Sequence, residues 1–166
     1  IVVGGNTLAF LLARTLPEAD RDNRYVLICS NRADGMLVSA RANVERVRCD
    51  AAMIDPVWEE LHLPSHLMDW QVDLYHNTCF ALLVVRTTRW LVSTIHDVVF
   101  RARPELVEPG LRKYLDCRTE HAVDVADVVL TDSEFSRSEI VRYYGADQAR
   151  VRVVYPGVEA KFRPSA

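Results

Sequence analysis

Short apolar runs alternate along this chain with longer segments whose apolar residues recur at helical spacing, and few folds accommodate that exchange. Tyr25 to Cys29, bounded by Asp22-Asn23 and Ser30-Asn31, reads as a strand buried on both faces. Val44 to Arg48 alternates apolar and polar residues and reads as a more exposed strand. Val72 to His76, Leu91 to His96, Val128 to Thr131 and Val151 to Tyr155 complete the set. Between them, Leu8, Leu11, Leu12 and Leu16 trace a helix that comes after Gly4-Gly5 and that Pro17 closes. Pro56 opens another, carrying Trp58, Leu61, Leu67 and Met68 and bent at Pro64. Leu111, Tyr114, Leu115, Ala122 and Val125 mark one side of a long helix from Pro104 to Ala126. Ser133 caps a last helix with Phe135, Ile140, Val141 and Tyr144, and Gly145 ends it. Strands separated by helices need crossover connections, which are right-handed. The expected fold class is therefore α/β and Rossmann-like, a mainly parallel sheet with helices on both faces.

Composition narrows the function classes. A chain of 166 residues, 49% hydrophobic, suits one globular domain, and a net charge of -3 gives no general attraction for nucleic acid. Cys29, Cys49, Cys79 and Cys117 form neither a CxxC pair nor a zinc-finger spacing, so reduced thiols in a core are expected. No run approaches the roughly 20 apolar residues of a membrane span, and no signal-peptide pattern is present. These readings lead to the expectation of a soluble, cytoplasmic domain. No metal-ligand spacing, G-x-S-x-G or Walker pattern appears, which leaves metal sites, hydrolases and NTPases without support.

In an open parallel sheet, ligands gather beyond the carboxyl ends of the strands. Three polar strand ends fall there: His76-Asn77, His96-Asp97, and Thr131-Asp132 running into Ser133 and Ser136. His76 fits a structural hydrogen bond as well as a ligand contact. His96 fits a base or a neutral imidazole that holds a hydroxyl, with Asp97 orienting the ring or bonding ligand hydroxyls. Ser133 and Ser136 fit helix capping as well as ligand contact. Gly4-Gly5 would let backbone amides approach a diphosphate, but the full GxGxxG spacing is lacking, which disfavours an NAD-binding dehydrogenase. Arg86, Arg89, Arg101, Arg103, Arg112 and Lys113, interleaved with Trp90 and Phe100, read either as a solvated face or as a meeting point for a lipid diphosphate or a membrane surface.

The ordered segments Asp73-Leu74-Tyr75-His76, Val92 to Asp97, Ala126 to Ser136, Val151 to Val158 and Phe162-Arg163-Pro164 together resemble the N-terminal domain of family-4 glycosyltransferases. That resemblance implies the first half of a GT-B fold. Residues 1–155 would form the Rossmann-like, acceptor-side domain, lacking its first strand, and residues 156–166 would start a linker to an absent donor-binding domain. It further implies a retaining, metal-independent transferase that needs no cofactor. Such an enzyme moves a sugar from a UDP- or GDP-linked nucleotide sugar to a glycan, lipid-linked or small-molecule acceptor. By the same resemblance, Gly4 and Gly5 approach the donor diphosphate and His96 contacts the transferred sugar, while Ser133 lies beside the cleft. The isolated half is expected to be inactive, and a lipid-linked acceptor would bring it to the inner face of the membrane. A GT-B-like nucleotide-sugar epimerase and a non-catalytic sugar- or partner-binding domain are the alternatives, and the nature of the chain beyond residue 166 would separate them from the transferase.

Overall fold

The computed structural model describes residues 2–3, 7–30, 42–49, 56–78 and 86–157. Its strands are β1 (Val2–Val3), β2 (Tyr25–Ser30), β3 (Val44–Cys49), β4 (Leu74–Asn77), β5 (Trp90–Thr94), β6 (Val128–Thr131) and β7 (Val151–Val153). Its helices are α1 (Thr7–Ala19), α2 (Pro56–Leu61), α3 (Leu63–Asp69), α4 (Val99–Ala102), α5 (Pro109–Val125) and α6 (Glu134–Tyr144). The strands pair as β1-β2-β3 and as β4-β5-β6-β7, and every pairing is parallel. The α/β, Rossmann-like class follows directly.

Two neighbouring residues of β2 show that helices cover both faces. Leu27 packs with Ala9 and Ala13 of α1, whereas Ile28 joins a larger core with Trp58, Leu63, Leu67, Ala122, Val123 and Ile140. Successive strand residues point to opposite faces, so α1 lies on one side and α2, α3, α5 and α6 on the other. The same core takes Tyr75, Leu91, Val129 and Val151 from β4 to β7, which ties the two sets of strands into one packed layer. Fully buried side chains such as Leu91 and Ile140 each contribute roughly 1.5–3 kcal/mol of transfer free energy.

Several boundaries differ from the sequence reading, each for a local reason. Helix α1 continues past Pro17 to Ala19, because a proline in the last turn removes one hydrogen bond without ending the helix. The expected long helix is broken: Pro104–Leu106 form a 3-10 turn, and α5 starts at Pro109, where the Glu108 carboxylate accepts from Gly110 N at 2.9 Å and Leu111 N at 2.8 Å. Leu111 and Tyr114 stay exposed in the early turns of α5, and the buried side is Thr119, Ala122 and Val123. Phe135 is 75% exposed, so only Ile140 and its neighbours anchor α6. Cys117 is an exposed free thiol, not a core residue, and the side chains of Cys29, Cys49 and Cys79 lie outside the described residues.

A two-residue β1 stands directly before Gly4, where the sequence reading expects no first strand; it pairs Val2 with Ile28 and Val3 with Cys29. A cavity of 530 Å³ runs between Tyr25, Val26 and Ile28 of β2 and Leu74, Tyr75 and His76 of β4.

Gly145 closes α6 in the left-handed region at φ 63°, and a Cβ there would meet nothing within 4 Å. The cost of a side chain at this position is therefore purely conformational. Gly145→Ala should lose about 1–2 kcal/mol in chemical denaturation, and Gly145→Asn less, since asparagine tolerates this conformation.

Candidate functional site at the carboxyl edge of the sheet

Register decides which strand-end side chains meet. His76 pairs with Val92 and Thr94 with Leu130, so His76, Thr94 and the residues two beyond that pair, His96 and Asp132, share one face. The apolar Tyr75, Leu91, Ile95 and Val129 occupy the opposite, helix-covered face. The Ile95 amide donates to Leu130 O at 2.9 Å, extending the ladder one step past β5 and bringing His96 level with Asp132.

His96 is held from both sides. Its Nδ1 donates to Asp132 Oδ2 at 2.7 Å, and its Nε2 lies 3.1 Å from the backbone carbonyl of Thr78. Both partners are acceptors, so the ring satisfies both at once only with a proton on each nitrogen. The His96 side chain is 16% exposed and Asp132 30%. The second carboxylate oxygen, Asp132 Oδ1, is buried with no hydrogen-bond partner among the described residues.

His76 has a different environment. Its Nε2 shares a 2.8 Å hydrogen bond with Thr94 Oγ1, and burial pushes the imidazole down to about 4, so it is neutral near pH 7. A row of polar groups thus runs from His76 and Thr94 to His96, the Thr78 carbonyl and Asp132.

The remaining sequence candidates fall outside that row. Asn77 is buried on the opposite face, donating through Nδ2 to Tyr75 Oη at 3.3 Å. Asp97 does not orient the imidazole: it is exposed, and its Oδ1 accepts from Val99 N at 2.9 Å, starting α4. Ser133 caps α6 by accepting from Ser136 N at 3.1 Å, and its hydroxyl donates to Ser136 Oγ at 3.1 Å. Gly4 and Gly5 lie outside the described residues. Of the basic segment, Arg86 pairs with Asp127 at 2.7 Å and Arg101 with Asp116 at 2.7 Å, while Phe100 is buried in the core. Arg103, Arg112 and Lys113 are exposed. No described helix is long and apolar enough to cross a membrane.

Sequence reasoning missed Asp132, Thr94 and Thr78 as members of the row. The signal for Asp132 was present: Ile95-His96 and Thr131-Asp132 both end a buried strand on a polar residue, and neighbouring parallel strands place such ends side by side.

Comparison with known proteins shows the family. The profile of the Glycosyltransferase Family 4 matches residues 2–162. The chain belongs to that family. Among its relatives, an O-antigen chain mannosyltransferase B from Escherichia coli is 33% identical over 51% of this chain and 22% of its own length. A D-inositol 3-phosphate glycosyltransferase from Streptomyces bingchenggensis is 34% identical over 46% of this chain and 18% of its own length. A solved glycosyltransferase from Rickettsia africae superposes with a TM-score of 0.53 at 10% identity, covering 96% of this chain and 43% of that one, and so shares its fold. The matches thus span less than half of each of these longer proteins.

In this family member His76 gives a test by stability. With His76 at about 4 in the folded protein and about 6.5 when unfolded, the unfolded chain binds the extra proton between those values. Stability from this group is fully present above pH 6.5 and is lost as pH falls towards 4, by up to about 3 kcal/mol. In chemical denaturation monitored across that window, His76→Gln should flatten the acid limb while leaving stability at pH 7.5 within about 1 kcal/mol.

Proposed function

We propose that this chain is the acceptor-side half of a retaining GT-B glycosyltransferase. It works with a second domain that carries the nucleotide-sugar donor, and transfer occurs in the cleft between them. The observation that carries the reading is the family profile matching residues 2–162, supported by a carboxyl edge where His96 is held rigidly by side chain and backbone. Residues 1–155 form the Rossmann-like domain and residues 156–166 begin the linker.

In this reading, His96 contacts a hydroxyl of the transferred sugar through Nε2, taking over the contact now made by the Thr78 carbonyl. His76 and Thr94 line the same face, and Ser133 and Ser136 keep the start of α6 in place beside it. The amides of Gly4 and Gly5 meet the donor diphosphate. The reaction needs no metal or other cofactor. A mannosyl donor and a polysaccharide acceptor suit the likeness to the O-antigen enzyme, and D-inositol 3-phosphate is the acceptor to try second. A lipid-linked acceptor would present exposed Arg103, Arg112 and Lys113 to the anionic inner face of a membrane.

The test uses the full-length protein with GDP- and UDP-sugars, measuring transfer to each acceptor. Loss of one hydrogen bond to the reacting sugar, worth about 1.5–3 kcal/mol, predicts a roughly 10–100-fold fall in kcat/KM for His96→Ala in protein that still unfolds in one cooperative transition. Conversion of the nucleotide sugar to an epimer without transfer would favour the epimerase, and undiminished transfer by His96→Ala would remove the role given to this residue.

A further inference from the structure

We infer that Asp132 is the positioning residue for His96: its carboxylate holds a proton on Nδ1 and fixes the plane of the ring, and so determines that Nε2 is the atom offered to substrate. The inference rests on the reading of His96 as a sugar-contacting group, and it adds a residue to which no role has been given. Three observations carry it. The Nδ1 to Oδ2 distance of 2.7 Å is that of a charge-assisted bond, and a carboxylate can only accept, which fixes the proton on Nδ1. The carboxylate is committed to this contact: among the described residues Asp132 Oδ1 has no partner, whereas Asp97 and Asp127 both accept from main-chain amides. Finally, the arrangement is built by the sheet. The polar ends of β5 and β6 are aligned by the Thr94 to Leu130 register, and Ser133, the residue after Asp132, caps α6.

A carboxylate placed behind an imidazole in this way does not touch the substrate. It holds ring orientation and tautomer, so that the opposite nitrogen always meets the ligand in the same state. Without the Asp132 carboxylate, Nδ1 loses this acceptor, and the ring is left tied to the Thr78 carbonyl by Nε2, able to turn about that bond. Asp132→Asn keeps the size of the side chain and removes the strong acceptor.

The experiment has two arms, both on full-length protein. The first labels histidine with 15N and reads the ring nitrogens of wild-type protein, with His96→Gln identifying the His96 signals. A protonated, pyrrole-type Nδ1 that is lost or moved in Asp132→Asn is the expected result. A wild-type Nδ1 that is unprotonated overturns the inference whether or not any variant folds. The second arm is a double-mutant cycle on sugar transfer. Asp132→Asn should lower kcat about tenfold, less than His96→Ala does, with the donor KM nearly unchanged, because Asp132 acts only through the ring. In a His96→Ala background the same change should cost less than about twofold, because its partner is gone. An equal loss in both backgrounds overturns the positioning role. If His96→Ala alone leaves transfer intact, the sugar-contact reading fails, and the nitrogen signals still decide whether Asp132 holds the ring.

Discussion

Parallel pairing of β4 to β7 is the constraint on which the rest of the molecule depends. When every strand runs the same way, each helix must return the chain across the sheet, and all carboxyl ends collect along one edge. Residues 36 positions apart, His96 and Asp132, then become neighbours because β5 and β6 end at the same level. The apolar interior of the strands fixes that level. Leu91 and Val129 must face the core together with Ile140, and a slip of one residue would turn them out and send the polar ends to opposite faces.

Placing polar side chains at the rim of such a core carries a desolvation cost, and the two histidines meet it differently. His76 gives up its charge, bonding Thr94 as a neutral ring. His96 keeps two acceptors, a carboxylate and a carbonyl, so its ring is clamped at both nitrogens. A clamped ring has little rotational freedom to lose when a ligand arrives, which is what a recognition group at the edge of a cleft needs. The neighbouring supports are ordinary structural devices: Ser133 capping α6, Asp97 starting α4, and Asp127 accepting from Leu91 N at 2.8 Å where β5 begins.

Much of the fold was legible because its signals are local. The Ser133 cap and the Gly145 stop bracket α6 as read, and β2, β3 and β6 fall where their apolar patterns place them. Errors arose where periodicity alone was used. It groups Leu111 and Tyr114 on one side with Ala122, and Phe135 with Ile140, although the first turns of α5 and α6 leave Leu111, Tyr114 and Phe135 in solvent. It also ran one helix through Glu108-Pro109, a cap and an N1 proline. The site was legible to the strand but not to the partner. His96 stands out by position, but Asp97, adjacent in sequence, is the carboxylate that the sequence offers for orienting the ring or bonding ligand hydroxyls. Neighbouring residues on an extended strand point apart, whereas the next strand's residue at the same level points alongside. The register between β5 and β6 is what sets Asp132 beside the ring.

The central claim is that the carboxyl edge of this sheet, at His96, is where the transferred sugar is held. A crystal structure of full-length protein with a nucleotide sugar and acceptor tests it most directly. The account predicts a sugar hydroxyl within hydrogen-bond distance of His96 Nε2, in the place of the Thr78 carbonyl, with Nδ1 still on Asp132. A sugar bound away from the ends of β4, β5 and β6, with His96 still closed on Thr78, would contradict it.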